Sequence, residues 1–302
     1  MARCVVGVDG GGTHTRAVVL DAQGRELGRA DGRAAVADPR SAGAAAAAVA
    51  ETCASAVGAA GRALPVDAVY AALTGAGREA ARTAVELELG RLGVAARVHV
   101  GTDASAAFHD AFGNGPGILV ISGTGSIAWG RSDDGRETRA GGWGLHVGDE
   151  GSGFTIGSQA MRRVSRQDDG RAPRTGLHGA ILDFLGLGGV DDLVIWAGGA
   201  SKGDVASLAK VVSAEAATGD AQAAEILAQA VRDLEAHVLA ILEKLGPWRQ
   251  PPSVALMGGL LNPGRPLREP LAAALARHRL PLVERPLDPA LGAARLALAR
   301  LG

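Results

Sequence analysis

A glycine-rich turn follows the first apolar stretch of the chain and carries residue types suited to phosphate chemistry. Asp9 is followed by Gly10, Gly11 and Gly12, and then by Thr13. Three successive glycines allow positive φ, and without a Cβ they let a phosphate group approach the backbone amides. Thr13 and Thr15 add hydroxyl donors, and the Asp9 carboxylate suits Mg²⁺. The motif favours a phosphate-binding turn; the alternative is a glycine-rich hairpin that binds no ligand.

A second turn of similar composition occurs further along the chain. Gly123, Thr124 and Gly125 also come directly after an apolar stretch. Their spacing partly matches the GxGxxA fingerprint of dinucleotide-binding proteins, which requires a helix immediately afterwards. Residues 127–130 predict a strand instead, so the fingerprint is excluded by its context. Two Gly/Thr hairpins could together hold a polyphosphate from two sides.

The segment 141–153 has more glycines than a core strand would tolerate, and it predicts a loop shaped by a ligand or by a sharp turn. Trp143 offers a flat apolar surface of the kind that packs on sugar rings; its alternative role is a core anchor. Asp149 and Glu150 precede a predicted helix. A carboxylate there can cap that helix, and we expect this role for Glu150.

Two further candidates lie where predicted strands end. Asp103 follows the strand that ends near residue 100 and opens a helix. It could cap that helix, or it could act as a general base, because ligands of α/β sheets bind at the carboxyl ends of strands. Gly258 and Gly259 follow another predicted strand and could pass beneath a flat base or ribose.

Short apolar runs alternate with longer helical patterns, which is typical of an α/β protein. Residues 5–24 and 118–135 repeat one pattern of strand, Gly/Thr-rich turn, strand and hairpin turn, and predict a duplicated domain. The predicted strands cover 4–8, 16–20, 27–30, 68–73, 98–100, 118–121, 127–130, 136–140, 254–257 and 282–284. The predicted helices cover 42–60, 78–92, 103–112, 152–166, 175–186, 203–217, 220–246, 265–278 and 289–300.

The composition bounds the other possibilities. A length of 302 residues is ample for two domains, and the net charge of −1 gives no reason to expect a polyanion or an acidic membrane as partner. No apolar run approaches the roughly 18–20 residues that a bilayer span needs. Two cysteines exclude a disulfide framework and a four-thiolate metal site. We expect a cytoplasmic protein that binds neither nucleic acid nor membrane.

The chain has three lysines, Lys202, Lys210 and Lys244, and none lies in a P-loop or a protein-kinase motif. If the chain binds nucleotide phosphates, we therefore expect backbone amides rather than a lysine to hold them. Residues 199–203 satisfy the GxSxG pattern of hydrolase nucleophiles. Their flanks predict helices, which favours a helix–helix turn over a hydrolase site.

Taken together, these motifs resemble the N-acetylglucosamine kinase branch of the BadF/BadG-type ATPase family, within the superfamily of actin, hexokinases and heat-shock chaperone ATPases. The resemblance covers nearly the whole chain. It is carried by VDGGGTHT, TDA at 102–104, ISGTGS at 121–126, GGWGLHVGDEGSG at 141–153, LMGG at 256–259 and the terminal LDPALGAARLAL. The zinc motif of the other bacterial sugar-kinase group is missing, as are the mid-chain cysteines of the dehydratase-activating members.

This resemblance implies two ribonuclease-H-like domains, residues 1–115 and 116–302, with ATP in the cleft between them. The second domain would contain a helical insertion, and the last helix could pack back on the first domain. Asp103 would be the general base towards the 6-hydroxyl of an amino sugar, and Asp9 would organise Mg²⁺. The implied ATP contacts are Gly10, Gly11, Gly12, Thr13, Gly123, Thr124, Gly125, Gly258 and Gly259. The implied sugar contacts are Asp38, Asp103, Thr124, Trp143 and Asp149. We also expect a homodimer.

Asp38 departs from the pattern of the related kinases, which carry an asparagine that reads the 2-substituent of the sugar. An aspartate there would suit a free 2-amino group better than an acetamido group, which favours glucosamine over N-acetylglucosamine. Two other functions stay open: an ATPase that energises a partner protein, and a non-catalytic sugar or nucleotide sensor.

Overall fold

The computed structural model describes residues 3–301, which form two compact units, residues 3–114 with 287–301 and residues 115–286. The strands of the first unit are β1 (Cys4–Gly10), β2 (His14–Asp21), β3 (Glu26–Arg33), β4 (Val66–Leu73) and β5 (Ala95–Gly101). Its helices are α1 (Ala42–Ala59), α2 (Glu79–Arg91), α3 (Asp103–Phe112) and α11 (Pro289–Ala299). The last helix thus belongs to the first unit, although the sequence interval 116–302 included it in the second domain.

The first sheet has the strand order β3-β2-β1-β4-β5. β1 pairs antiparallel with β2 and parallel with β4, and β4 pairs parallel with β5. Alternate residues of β1 point to opposite faces of the sheet. Val6 and Val8 pack with α1 and α2 on one face, whereas Val5 packs with α3 and α11 on the other. Both faces are therefore covered by helices.

Glycine at position 7 lets α11 lie directly on the first sheet. A Cβ on Gly7 would be 1.9 Å from the backbone nitrogen of Ala294. The buried face of α11 contributes small side chains, which keep the helix backbone close to the strand. These residues are Ala290, Ala293, Ala294 and Ala297. The packing therefore depends on the absence of side-chain atoms on both surfaces.

Helix α1 is the one helix of residues 3–301 with the length and apolar composition to cross a membrane. Half of its residues are buried within the first unit. Val49 and Cys53 are fully buried and pack in the same core as Val6 and Val8 of β1. The apolar character of α1 is thus explained by its position in the core.

The second unit contains the strands β6 (Gly117–Ser122), β7 (Ser126–Arg131), β8 (Glu137–Gly141) and β9 (Val254–Met257). Its helices are α4 (Gly153–Asp168), α5 (Gly176–Leu185), α6 (Val190–Gly199), α7 (Lys202–Ser207), α8 (Ala209–Ala217), α9 (Ala221–Leu245) and α10 (Arg268–Arg277). The strand order is β8-β7-β6-β9. Leu234, Val238 and Ile241 form the buried stripe of α9, as the periodicity predicts.

The two sheets repeat the same arrangement of strands. In each, the first strand pairs antiparallel with the second and parallel with the fourth, and the third pairs antiparallel with the second. The second unit has no full fifth strand among its described residues, because Leu282 forms only an isolated parallel bridge with Val254. The predicted strand 282–284 is therefore wrong, but the matching order supports the predicted duplication.

The helix expected over 203–217 is divided in two at Leu208, where α7 ends and α8 begins. The predicted helix–helix turn before it is confirmed, because α6 ends at Gly199 and α7 begins at Lys202. Ser201 caps α7, and its hydroxyl accepts a hydrogen bond from the Asp204 amide. Ser201 is therefore a capping residue rather than a hydrolase nucleophile.

Gly7→Ala is expected to destabilise the protein by about 2 kcal/mol or more, because one extra methyl group meets the backbone of α11. Gly58→Ala is the matched control, since Gly58 is an exposed residue of α1 with nothing within 4 Å of an added Cβ. That control should be neutral or stabilising by about 0.5–1 kcal/mol. Urea unfolding of both variants measures the difference; equal stabilities would contradict the packing described for α11.

Candidate functional site

The turn between β1 and β2 is held by backbone hydrogen bonds from three segments. The Gly11 amide donates to the His14 carbonyl at 3.1 Å. The Thr74 amide donates to the Gly10 carbonyl at 2.9 Å, and the Ala35 amide donates to the Gly11 carbonyl at 3.1 Å. The turn is thus fixed by the end of β4 and by the loop after β3.

The three glycines of this turn have different reasons to be glycine. A Cβ on Gly10 would be 2.4 Å from Leu73 Cδ2, so packing excludes a side chain there. A Cβ on Gly11 would have no neighbour nearer than 3.9 Å, and one on Gly12 would have none within 4 Å. None of the three has positive φ, so backbone conformation does not require glycine at these positions. Neither packing nor conformation accounts for Gly11 and Gly12, which leaves space for a ligand next to the backbone.

The two threonines near the turn point to different environments. Thr13 is exposed, and its hydroxyl lies 2.9 Å from His14 Nδ1. Thr15 is fully buried, and its hydroxyl lacks a hydrogen-bond partner among the described residues. Thr13 is therefore available to a ligand. Thr15 is not, so the expectation that its hydroxyl is a donor for a ligand is wrong.

Asp9 and Asp103 form a pair of carboxylates at the carboxyl end of the first sheet. Burial raises the pKa of Asp9 to about 6, and the negative charge of Asp103 adds to this effect. Arg16 lowers the Asp9 pKa in part, but Asp288 raises it further. The pair thus has an excess of negative charge that a bound cation would compensate.

The structure orients Asp103 through both of its carboxylate oxygens. The Thr74 hydroxyl donates to Asp103 Oδ2 at 2.9 Å, and the Ala104 amide donates to Oδ1 at 2.8 Å. The cap of α3 is Thr102, whose hydroxyl accepts from the Ser105 amide at 3.1 Å. Asp103 is therefore the first helical residue rather than the cap. Thr74, which the sequence analysis did not single out, fixes its side-chain position.

The donor set at this edge fits Mg²⁺ but forms no complete cage. Within residues 3–301 there is no cluster of three or more His, Cys, Asp or Glu residues that could hold a metal ion. Mg²⁺ in phosphoryl-transfer sites is usually bound through one or two carboxylates together with waters and substrate phosphates. The half-buried Asp9, with its raised pKa, meets that requirement.

Asp38 lies in the loop that fixes the first turn. The Ala37 amide donates to the Thr74 carbonyl at 2.8 Å, which connects the loop to the Asp103 site. The Asp38 carboxylate accepts from the Arg40 amide at 2.8 Å, and this hydrogen bond is the main reason that its pKa is lowered. Asp38 is thus an ionised, partly exposed residue of the same unit.

The turn between β6 and β7 in the second unit is supported by the start of α4. The Gly153 amide donates to the Gly123 carbonyl at 2.8 Å, and the Phe154 amide donates to the Thr124 carbonyl at 3.3 Å. A Cβ on Gly153 would be 3.1 Å from the Gly123 oxygen, so glycine permits this close contact. The first N–H groups of α4 therefore hold the turn in place.

Gly258 and Gly259 lie beside this turn. Gly258 has φ of 111°, and a Cβ there would be 2.2 Å from the Ser122 oxygen. The Leu260 amide also donates to the Ser122 carbonyl, at 3.1 Å. A Cβ on Gly259 would have no neighbour within 4 Å. Gly258 is thus required by the backbone, whereas Gly259 faces open space, as a ligand-contacting glycine would.

Asp149 places its carboxylate directly against the second turn. It has φ of 60°, in the left-handed region, and its side chain is only 5% exposed. Lys202 Nζ donates to Asp149 Oδ2 at 2.6 Å. A Cβ on Gly125 would be 3.2 Å from Asp149 Oδ1 and 3.0 Å from Lys202 Nζ. Asp149 is among the site residues predicted from the sequence, whereas Lys202 is not.

Two serines that flank the second turn hold the loop that follows β8. The Ser122 hydroxyl donates to the Gly151 carbonyl at 2.8 Å, and the Ser126 hydroxyl donates to the Glu150 carbonyl at 2.6 Å. Glu150 does not cap α4, because Ser152 does so. The Glu150 side chain instead lies 3.6 Å from His237 Nε2. The expected capping role of Glu150 is therefore wrong.

Trp143 is 63% exposed, which excludes the core-anchor alternative. The Arg139 guanidinium lies 4.4 Å from the centre of its ring. The indole thus has a cation on one face and remains largely accessible to solvent.

The chain belongs to the BadF/BadG/BcrA/BcrD ATPase family, whose profile matches residues 6–297. An N-acetylmuramic acid/N-acetylglucosamine kinase of Clostridium acetobutylicum is 38% identical over 197 residues, which span 65% of this chain and 64% of that enzyme. An N-acetyl-D-glucosamine kinase of Dictyostelium discoideum is 28% identical over 97% of both chains. The match to the Clostridium enzyme therefore covers just under two thirds of its length.

The fold matches that of solved sugar kinases. The structure of a provisionally assigned N-acetylglucosamine kinase from Chromobacterium violaceum superposes with a TM-score of 0.80 at 32% identity, over 98% of this chain and 99% of that one. A ROK hexokinase from Thermus thermophilus superposes with a TM-score of 0.59 at 18% identity, over 99% of this chain and all of the other. The hexokinase match shows the fold alone.

The different roles of Gly10 and Gly12 can be separated by the same substitution. Gly10→Ala should lower the free energy of unfolding by about 1–3 kcal/mol, because Leu73 lies in the way of the methyl group. Gly12→Ala should leave stability within about 0.5 kcal/mol, since its Cβ would meet nothing. Gly12→Ala should nevertheless weaken ADP binding, measured by calorimetry, because the methyl group occupies the space next to the turn. Unchanged ADP affinity in Gly12→Ala would contradict a ligand at this turn.

Proposed function

We propose that this chain transfers the γ-phosphoryl group of ATP to the 6-hydroxyl of an amino sugar, N-acetylglucosamine or glucosamine, with Asp103 as general base. It is an ATP-dependent sugar kinase, as its ATPase family and its named amino-sugar kinase relatives indicate. A glucosamine kinase of Vibrio cholerae is 27% identical over 57% of this chain and 65% of that enzyme. The sugars named for the relatives therefore include glucosamine as well as N-acetylglucosamine. The observation that supports Asp103 as the general base is the hydrogen bond from Thr74 to its carboxylate, because a general base must be fixed in orientation.

In the proposed reaction the sugar 6-oxygen forms a bond to the γ-phosphorus, and the bond from that phosphorus to the oxygen bridging to the β-phosphorus breaks. ADP is the leaving group, and the proton of the 6-hydroxyl passes to Asp103. Each carboxylate oxygen of Asp103 accepts one hydrogen bond from the protein, which leaves acceptor capacity for the sugar hydroxyl. Phosphoryl transfer depends mainly on positioning and charge stabilisation, so one oriented carboxylate suffices as base.

Asp9 would hold Mg²⁺, which supplies charge neutralisation for the phosphates when it is bound. The open backbone at Gly11 and Gly12, with the Thr13 hydroxyl, would contact phosphate oxygens from the first unit. Gly123, Thr124 and Gly125 would do so from the second unit, and Gly259 would lie against the adenosine. These roles are supported by the space that the structure leaves at Gly11, Gly12, Gly123 and Gly259; at Gly125 that space is taken by Lys202 and Asp149.

The sugar would contact Trp143 through its ring, and the exposure of the indole supports this role. Thr124 would contribute a polar contact from the second unit. Asp149 would contribute indirectly, because its side chain is buried and paired with Lys202. Asp38 would face the 2-substituent from the first unit. Its lowered pKa keeps the carboxylate ionised at neutral pH, which suits the cationic 2-amino group of glucosamine.

Asp103→Asn should lower kcat by about 10²–10⁴, because the amide cannot take the proton. The KM for ATP should stay within about threefold, since no nucleotide contact is removed. Glu79→Gln is the matched control: Glu79 is the first residue of α2, as Asp103 is of α3, and it is exposed. A coupled ADP-release assay with Mg²⁺-ATP and amino sugar measures both variants.

Two outcomes of this assay would contradict the proposal. ADP release by the wild type that is equal with and without sugar would favour an ATPase that energises a partner protein. Full turnover in Asp103→Asn would show that Asp103 is not the general base. Phosphate location in the product, determined by NMR, tests the 6-hydroxyl separately.

Asp38 allows a test of which amino sugar is preferred. The wild type should have a higher kcat/KM for glucosamine than for N-acetylglucosamine, because an ionised carboxylate attracts the ammonium group. Asp38→Asn should lower the preference for glucosamine by about tenfold, the effect of roughly 1.4 kcal/mol, with the KM for ATP unchanged. The sugars tested are glucosamine, N-acetylglucosamine and N-acetylmuramate. Equal sugar preferences in the wild type and Asp38→Asn would remove Asp38 from the sugar site.

A further inference from the structure

Within residues 3–301, Lys202 is the one lysine that lies at a proposed phosphate-binding turn. Its Nζ is 2.6 Å from Asp149 Oδ2 and would be 3.0 Å from a Cβ on Gly125. Glycine at position 125 thus leaves room for the ammonium group against the turn. Lys210 and Lys244 are exposed and lie elsewhere, on α8 and near the end of α9.

The backbone around Lys202 is held rigidly against the helix that supports the turn. A Cβ on Gly157 of α4 would be 2.0 Å from the Val205 oxygen of α7, so the two helices pack backbone to backbone. Ser201 and Asp204 form a reciprocal capping box at the start of α7. Since the first N–H groups of α4 also bond to Gly123 and Thr124, the turn and Lys202 are fixed by the same helix.

The ion pair with Asp149 leaves N–H donors of the Lys202 ammonium group without a partner among the described residues of the protein. The Asp149 side chain is 5% exposed, whereas that of Lys202 is 34% exposed, so the ammonium lies on the solvent side of the pair. An ammonium group has three N–H donors, and Asp149 is the one hydrogen-bond acceptor of Lys202 within residues 3–301. The remaining donors can reach an anion that approaches the turn from solvent.

We propose that Lys202 donates hydrogen bonds to the phosphate oxygens beyond the α-phosphate of the nucleotide, while Asp149 holds the ammonium group in position. This inference rests on the proposed placement of the phosphates at the Gly123–Gly125 turn. The ligand it requires is a nucleoside di- or triphosphate, because a nucleoside monophosphate has no phosphate oxygens beyond the α-phosphate. The alternative is that Lys202 only neutralises the buried Asp149.

The three lysines permit a direct test by chemical footprinting of the wild-type protein. Acetylation rates at Lys202, Lys210 and Lys244 are measured by mass spectrometry without nucleotide, with ADP and with AMP. Saturation is verified by calorimetry on the same sample. ADP should lower the rate at Lys202 by about fivefold or more and leave both other lysines unchanged, and AMP should have little effect. An unchanged Lys202 rate in ADP-saturated protein overturns the proposal, as does wild-type protein that binds no ADP.

Variants separate phosphate contact from neutralisation of Asp149. Lys202→Met should raise the Kd for ADP by about 10- to 100-fold and the Kd for AMP by less than about threefold. Lys202→Arg, which keeps the charge beside Asp149, should preserve folding and part of the ADP affinity. Lys210→Met is the matched control and should bind ADP as the wild type does. Folded Lys202→Met with wild-type ADP affinity overturns the proposal; if this variant does not fold, the footprint of the wild type decides.

These measurements use nucleotide alone, so they are independent of the sugar reaction. Protection of Lys202 by ADP in a protein that phosphorylates no amino sugar would support this inference and overturn the proposed function. Sugar phosphorylation by a protein whose Lys202 is not protected by ADP would support the proposed function and overturn this inference. In the variants, a rise in the KM for ATP with a smaller change in kcat further separates a nucleotide contact from a general loss of structure.

Discussion

Close contacts between backbone segments, which only glycine permits, determine where the functional residues lie. Gly7 brings α11 onto the first sheet, and Gly258 brings the segment after β9 against Ser122. Gly157 brings α7, and with it Lys202, against α4. In each case a backbone atom occupies the position where a side chain would begin. The high glycine content of the chain is thus partly a requirement of packing, independent of any ligand.

A second group of glycines has no such requirement, and some of them lie at the candidate ligand surfaces. Gly11, Gly12 and Gly259 would each accept a Cβ without a close neighbour, and none has positive φ. Side chains at these positions would cost the folded protein little. Exposed glycines such as Gly58 share this freedom. Gly11, Gly12 and Gly259 differ from it because they lie at the ends of strands, where α/β sheets bind ligands, and this position favours a ligand next to their backbone.

The strands, most helices and the candidate turns could be predicted because their signals are local. Alternating apolar residues in β1 and the stripe of α9 specify their own elements. Thr74 and Lys202 could not be found in this way, because each meets its partner only through tertiary packing. Thr74 is 29 residues from Asp103, and Lys202 is 53 residues from Asp149. The sequence contains no P-loop motif, but that absence carried no information about a lysine delivered by another helix.

Asp149 shows why that lysine and the loop after β8 have to be considered together. A non-glycine residue in the left-handed region is strained, and an unpaired buried carboxylate is strongly unfavourable. Both features persist because Lys202 compensates the charge and Thr155 donates to the Asp149 carbonyl at 2.7 Å. Since Ser126 ties the same loop to the second turn, the turn, the loop and Lys202 form one connected group. The Lys202 ammonium group would therefore already be in position when a phosphate binds at the turn. Little reorganisation of the protein would be needed on binding.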